Sequence, residues 1–123
     1  MSQAIVKKSA GVVRKQVAAG TDTSSQVLLG PEDGVPNFAM RRFTMGAGGG
    51  MPRHTNSVEH EQFVLRGRAR ISVGDQVFEV GPEDVLYIPA GAPHDYQVLE
   101  APFEFLCVVP NLPDQVQLLD EGC

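Results

Sequence analysis

The chain has 123 residues, enough for one domain with a sizeable core, and its 42% hydrophobic content is ordinary for a globular protein. Its net charge is −5 and no Lys/Arg cluster exceeds a dipeptide, which argues against nucleic acid as a partner. It has no apolar run long enough for a membrane helix, no signal-peptide core and only two cysteines, Cys107 and Cys123, so we expect a cytoplasmic protein without a disulfide framework.

Glycines and prolines are spread along the chain at intervals that are typical of turns between short strands. Residues 1–25 are weakly patterned and predict an N-terminal arm that ends in a polar loop at 21–25. Strand-like runs follow at 26–29, 38–45, 60–67, 68–73, 76–80, 84–89, 94–98 and 103–109. We therefore expect an all-β sandwich or barrel over residues 26–110, followed by a tail at 111–123.

Two of the predicted connections between strands are rich in glycine or proline. Residues 46–52, with four glycines and a proline, predict a tight corner between strands or a loop whose backbone approaches a ligand. Residues 100–102 predict a turn between the last two strand-like runs.

The three histidines of the chain stand out as candidate metal ligands. His54 and His60 are six residues apart with Asn56 between them, and His94 ends the segment PAGAPH. Residues two apart in an extended chain share a face, so His54 points with Asn56, and His60 with Gln62. Three imidazoles that meet from separate strands would leave open positions on a metal ion, unlike a closed, thiolate-rich zinc site.

The segments around these histidines resemble the two motifs of the cupins. The first motif has a histidine, any residue, a second histidine, three or four residues, a glutamate, six residues and a glycine. The corresponding residues are His54, Asn56, His60 and Gly67. The second motif resembles the run from Asp84 through Pro89 and Gly91 to His94. The resemblance covers roughly 46–98 and implies a double-stranded β-helix, a jelly-roll-like barrel of two antiparallel sheets.

The chain departs from the usual cupin pattern at two positions of the first motif. Asn56 stands where the family has its second histidine, and His60 stands where the family has its glutamate. A histidine at the position of His60 resembles a subgroup of small single-domain cupins with all-histidine manganese or iron sites. That resemblance implies one metal ion per subunit, a homodimer and oxidoreductase or dioxygenase-type chemistry.

The predicted metal ligands are His54, Asn56, His60 and His94. Counting six residues back from Gly67 selects His60, whereas the longer spacing in the family would select Glu61 instead. The Asn56 oxygen is a fourth ligand, a partner for a metal-bound water, or a group without a role. One divalent first-row ion is expected per subunit, with manganese or iron favoured by the resemblance and zinc, nickel or copper as alternatives. Because histidines lose protons to bind metal, we expect affinity to fall through the ordinary histidine pH range.

A mostly apolar cavity with a few polar groups is expected around the metal. Gln62 and Tyr96 share faces with His60 and His94, so either side chain is a candidate to orient a ligand or a histidine. Arg41 pairs an anionic substrate if its face is the inner one, and otherwise pairs a glutamate.

The last strand-like run contributes two further candidates to this cavity. We expect Glu104 to face water, which turns Phe105 and Cys107 inward. Cys107 is either a cavity group or, more simply, a small buried core residue.

Two classes of function follow from these observations. The first is a metal-dependent, dioxygenase-type oxidoreductase that acts on a small organic substrate, or an isomerase or lyase in which the ion is only a Lewis acid. The second is a non-catalytic module that binds a small ligand or a metal, which the missing fourth histidine and the absence of an obvious general base favour. The expected partners are a small molecule and a second copy of the chain, without nucleic acid or membrane.

Overall fold

The computed structural model describes residues 3–119, which form an almost entirely β structure with two short 3-10 turns at Ser9–Gly11 and Pro31–Asp33. The strands, in chain order, are β1 (Lys15–Gln16), β2 (Thr21–Leu29), β3 (Phe38–Thr55), β4 (His60–Val73), β5 (Gln76–Val80), β6 (Val85–Ile88), β7 (His94–Pro110) and β8 (Gln117–Leu118). The prediction of an all-β fold is confirmed. No helix in this part of the chain is long and apolar enough to cross a membrane.

Three long strands, β3, β4 and β7, form the centre of the structure. The strand order is β1-β2-β3-β7-β4-β5, with β6 paired to β4 and β8 paired to β3, and every pairing is antiparallel. Because β7 lies between β3 and β4 and pairs with both, it aligns the inward residues of the two strands that carry His54 and His60.

The long strands run further than the sequence predicts, because irregularities shift their register without ending the pairing. The loop predicted at 46–52 and the turn predicted at 100–102 lie inside β3 and β7. The runs predicted as separate strands at 60–67 and 68–73 form the single strand β4. Gly67 has φ +78°, and such a glycine lets a strand bend at a bulge while its neighbours stay paired.

Gly50 lies at a close approach of β3 to β7. Its φ is +153°, and a Cβ atom at this position would overlap the carbonyl oxygen of Tyr96. The ladder shifts register between Met45 and Gly50, and then continues from Gly50 opposite Gln97 towards His54. The close approach that the glycine permits is therefore between two backbones.

The predicted polar loop at 21–25 is wrong, because these residues begin β2 and pair with β3. The buried Thr23 hydroxyl donates to the carbonyl oxygens of Thr21 and Gly50, at 2.8 and 3.1 Å, which satisfies a polar side chain inside the sheet. The predicted boundary between arm and barrel falls within β2. The division into arm, barrel and tail stays a prediction, and residues 120–123 of the tail, including Cys123, lie outside the described residues.

The core lies between the inner faces of the long strands. The sequence places Phe105 and Cys107 on the inward face of the last strand, and both are buried there. The buried hydrophobic residues are Ala39, Met45, Val58, Val64, Ala69, Ile71, Val80, Ile88, Tyr96, Phe103, Phe105, Cys107 and Val109.

Glu104 lies on the opposite face of β7, as predicted, but it is buried and does not face water. The Arg42 guanidinium covers it, with Nε donating to Oε2 at 3.1 Å and a second contact from the same group. Arg66 adds a longer ion pair at 3.9 Å. The carboxylate tolerates burial because its charge is paired, and the cross-strand neighbours that pair it cannot be identified from alternation within one strand.

We expect Gly50→Ala to lower the free energy of unfolding by roughly 2–4 kcal/mol, because the added methyl group overlaps backbone at a φ that L-residues disfavour. Gly11→Ala is the matched control, since a Cβ there meets nothing within 4 Å. Urea denaturation of the two variants and the parent protein measures the difference. Equal stability of the two variants would contradict this account of the β3–β7 contact.

Candidate metal centre

The three histidines come from three different strands and lie together at one end of the structure. His54 lies near the end of β3, directly opposite His94 at the start of β7, and His60 is the first residue of β4. The ring centroids of His54 and His94 are 4.1 Å apart, and those of His60 and His94 are 5.8 Å apart. All three side chains are buried. The pairing of β3 and β4 with β7 thus brings together residues that are up to 40 positions apart in the chain.

Backbone carbonyl groups determine the orientation and the tautomer of two of the rings. Nδ1 of His54 is 2.8 Å from the Pro52 carbonyl oxygen, and Nδ1 of His94 is 2.9 Å from the Ala92 carbonyl oxygen. Since a carbonyl oxygen can only accept, each Nδ1 carries the hydrogen and each Nε2 has a free lone pair. Hydrogen bonding of the second ring nitrogen in this way is typical of histidines that bind metals.

Two of the ring nitrogens are buried without a hydrogen-bond partner among the described residues. They are Nε2 of His60 and Nε2 of His94. A buried polar nitrogen without a partner costs free energy that folding has to offset elsewhere. A ligand that bonds to these two nitrogens would remove that cost.

Burial keeps two of the histidines neutral. Burial lowers the pKa of His60 to about 3, with the nearby Arg41 charge acting in the same direction, and burial lowers the pKa of His94 to about 4. Protons therefore compete with a metal for these two rings at a lower pH than the ordinary histidine range, which was the range expected from the sequence. Both rings are in the neutral form that metal binding requires.

Asn56 lies next to the histidines with its amide held by an acidic residue of the tail. Its Nδ2 donates to Oδ2 of Asp114 at 3.0 Å, and its Oδ1 is buried without a partner within residues 3–119. The Ser57 amide N–H donates to Oδ1 of Asp114 at 2.9 Å. Because the carboxylate can only accept, the amide nitrogen faces Asp114 and the oxygen remains free.

Asp114 lines the same cavity as the histidines and was not predicted from the sequence. Asp114 and Val116 reach the site because β8 returns to pair with the end of β3. Nothing in the spacing of the sequence links residue 114 to residue 56. The contact depends entirely on the path of the tail.

The histidines line one end of a cavity of about 310 Å³. Of the sequence candidates, Gln62, Tyr96, Arg41 and Phe105 also line it, whereas Cys107 is buried behind the lining. The rings of Phe43, Phe105 and Tyr96 form an apolar wall, with centroid separations of 5.1 and 5.4 Å and interplanar angles of 13° and 8°.

A small polar network joins polar residues of the cavity lining to the buried Cys107. Gln62 Nε2 donates to the Tyr96 hydroxyl oxygen at 2.7 Å, and Cys107 Sγ lies 3.4 Å from a terminal nitrogen of Arg41 and 3.5 Å from Nδ1 of His60. Burial raises the pKa of both the Cys107 thiol and the Tyr96 phenol. Burial therefore favours the protonated thiol of Cys107, as expected for a small core residue.

Glu61, the alternative ligand at this point of the first motif, is exposed, whereas His60 and Gln62 on either side of it are buried. The alternation along β4 turns Glu61 away from the cavity.

The candidate ligand atoms suit a first-row divalent metal, and those of His60, His94 and Asn56 have no other hydrogen-bond partner among the described residues. They are neutral imidazole nitrogens and one amide oxygen, which suit manganese, iron, nickel, copper or zinc. Within residues 3–119, however, no three His, Cys, Asp or Glu side chains already stand in the geometry of a formed metal site. The fit is therefore one of chemistry and proximity.

The low pKa values of His60 and His94 predict how the stability of metal-free protein depends on pH. Between the folded-state values of about 3 and 4 and the ordinary value of 6.5, the unfolded chain binds more protons than the folded one. These two groups therefore leave the free energy of unfolding unchanged with pH above 6.5 and lower it as the pH falls below 6.5. We expect the midpoint of urea denaturation in chelator to decrease from about pH 7.5 to about pH 5.

His60→Gln is the control for this pH dependence, because it removes one of the two titrating groups. The variant should lose less stability than the parent protein over the same pH interval. An identical decrease in both proteins would assign the pH dependence to other groups.

The family model for the cupin domain matches residues 41–109. The polyketide cyclase RemF of Streptomyces resistomycificus is similar to this chain at a TM-score of 0.85 and 27% identity, over 97% of this chain and 89% of that chain. A cupin-2 domain protein of Rhodospirillum rubrum has a TM-score of 0.80 and 26% identity over 98% of this chain and 84% of its own. A cupin 2 domain-containing protein of Halorhodospira halophila has a TM-score of 0.75 and 31% identity over 80% of this chain and 71% of its own.

No curated protein matches the chain. The matched segment 41–109 covers more than half of the sequence and includes all three histidines. Together with the antiparallel β architecture, this match confirms the predicted cupin β-barrel, and the chain belongs to the cupin family.

Proposed function

We propose that this chain is a metal-dependent cupin enzyme that acts on a small organic molecule. His54, His60 and His94 are the protein ligands of one divalent ion in this proposal. The Asn56 amide oxygen is the fourth donor or accepts a hydrogen bond from a water on the ion. The observation that carries the proposal is the pair of buried, unpartnered Nε2 atoms at the end of a cavity.

The resemblance to all-histidine cupins favours manganese or iron as the ion, with zinc, nickel or copper as alternatives. Three imidazoles and an amide are all neutral, so they leave the charge of the ion uncompensated and favour an anionic ligand in the open positions. When bound, the ion supplies Lewis-acid activation and, if it is redox-active, electron transfer.

The residues of the chain have separate tasks in this proposal. The carbonyl groups of Pro52 and Ala92 hold two of the imidazoles by their Nδ1 hydrogens. Asp114 holds the Asn56 amide with its oxygen free. Among the described residues that line the cavity, Asp114 is the one carboxylate, so it is also the group best suited to accept a proton from a bound substrate. The apolar wall excludes water from the reacting molecule.

The reaction class that we favour is Lewis-acid chemistry without oxygen, of the kind that a cyclase, isomerase or lyase performs. This choice rests on the similarity over 97% of the chain to a protein described as a polyketide cyclase. The second candidate is dioxygenase-type oxidation, which the neutral, nitrogen-rich ligand set and the resemblance to manganese and iron cupins support. A cytoplasmic homodimer, with a small molecule as its other partner, completes the proposal.

Replacing His60 by alanine should remove most of the bound metal, because the ion loses one of three protein nitrogens. Glu61→Ala is the matched control, since Glu61 is the neighbouring residue on the exposed face. Elemental analysis of each protein after dialysis against excess metal and removal of the free ion gives the stoichiometry. Near-equal metal content in the two variants would refute the ligand assignment, provided that both variants are folded by circular dichroism.

Turnover in the presence and absence of oxygen separates the two reaction classes from each other and from a binding module. The metal-loaded protein is mixed with small poly-β-keto compounds and hydroxylated aromatic acids, and products are followed by mass spectrometry. We expect metal-dependent products of unchanged or dehydrated mass under anaerobic conditions. Products that gain oxygen atoms and require air would favour the dioxygenase. The absence of any metal-dependent turnover across both compound classes would favour the non-catalytic module.

A further inference from the structure

Arg41 differs from the other arginines of the long strands in lacking a carboxylate partner. Among residues 3–119, no carboxylate lies within 4 Å of its guanidinium, and its Nε is shielded from solvent without a hydrogen-bond acceptor. Its polar contact is the neutral thiol of Cys107 at 3.4 Å. Five other arginines in β3 and β4 each form an ion pair: Arg42, Arg53, Arg66, Arg68 and Arg70.

The contrast with Arg42 is direct, because the two residues are adjacent and point to opposite faces of β3. Arg42 is neutralised by Glu104 on the outer face. Arg41 lines the cavity, with its guanidinium carbon 5.0 Å from the centroid of the Phe43 ring. Arg41 is half-buried and its Nε is shielded from solvent, and no carboxylate of the described residues neutralises it. An anion that enters this cavity therefore gains charge-assisted hydrogen bonds to the guanidinium.

A second unsatisfied group faces the same space. Gln62 is 5% exposed, and its Nε2 donates to the Tyr96 hydroxyl oxygen. Its Oε1 is buried and has no hydrogen-bond partner in the part of the chain that the structure describes. The Tyr96 oxygen accepts from Gln62, which leaves the hydroxyl hydrogen of Tyr96 free to donate. The cavity thus offers a cationic donor at Arg41, an acceptor at Gln62 and a neutral donor at Tyr96.

The shape of the cavity restricts the ligand further. The stacked rings of Phe43, Phe105 and Tyr96 form one apolar side of the cavity beside these polar groups. Flat conjugated molecules pack against aromatic rings edge-to-face or offset-stacked. A volume of about 310 Å³ is at the small end of ligand cavities, which corresponds to a molecule of one or two rings.

We propose that the cavity binds a flat, hydroxylated aromatic or enolic monoanion, with its anionic group on the Arg41 guanidinium and its hydroxyl group on Gln62 Oε1. Arg41 then selects anions over neutral molecules of the same shape. This inference rests on the proposed function for its biological meaning, because it names the substrate class of that enzyme. The binding itself depends only on residues of the chain and is measurable without turnover.

The test compares two probes of equal shape, 3-hydroxybenzoate and its neutral amide, 3-hydroxybenzamide, neither of which chelates a metal through adjacent oxygens. Isothermal titration calorimetry is performed on the protein as purified, with its metal content determined, and again after chelator treatment. We expect the anion to bind at least about tenfold more tightly than the amide in both preparations. Equal affinity for the two probes, or no binding of either, overturns the inference.

Arg41→Gln should weaken binding of the anion by about tenfold or more and leave the amide unchanged, so that the discrimination disappears. Arg41→Lys retains the charge without the planar fork and should show an intermediate affinity. Arg70→Gln, an exposed arginine paired with Glu79, is the control that makes the same change in net charge. Undiminished affinity of folded Arg41→Gln protein for the anion overturns the inference.

The metal site and the anion site can fail independently of each other. If the protein holds no metal but distinguishes the two probes through Arg41, the metal assignment fails and the anion site stands. If the protein holds metal and the Arg41→Gln variant binds the anion normally, the metal assignment stands and the anion site fails.

Discussion

The register between β3 and β7 is the constraint on which the rest of the structure depends. It sets His54 opposite His94 and Phe43 opposite Phe105, and so determines which side chains share the cavity. A slip of one residue would turn every inward side chain of β3 to the outer face. The irregular ladder around Gly50 stands between these two pairings, where only a glycine lets the strands approach. Gly50, which has no side chain, therefore controls where the histidines lie relative to the apolar wall.

Charge is distributed unequally between the two faces of the same strands. On the outer face, Arg42 and Glu104 neutralise each other although both are partly or fully buried. On the inner face, His60 and His94 stay neutral and Arg41 keeps its charge without a carboxylate among the described residues. Since the cavity is apolar, each of these unsatisfied groups is a source of binding energy for a ligand. The cavity thus has the electrostatic character of a site for anions, with a metal at one end in the proposed enzyme.

The tail has a larger part in the site than its irregular sequence indicates. Asp114 holds the Asn56 amide and the Ser57 backbone, and β8 pairs with the end of β3 where His54 lies. This arrangement links the orientation of Asn56, the candidate fourth donor, to a segment outside the long strands. Asn56 stands where cupins usually have their second histidine, and the Asp114 carboxylate holds its amide so that the oxygen stays free.

The sequence by itself determined the all-β class, the inward face of the last long strand and the spacing of the three histidines. These features depend on local alternation, on turn residues and on motif spacing, which are properties of neighbouring positions. Only the tertiary structure decided that β3 continues through Gly50, that Glu104 is buried against Arg42 and that Asp114 holds Asn56. It also decided that Arg41 faces the cavity without a carboxylate partner in the described part of the chain. Each of these outcomes is set by a residue far away in the chain, and no pattern within one strand specifies which distant strand will lie beside it.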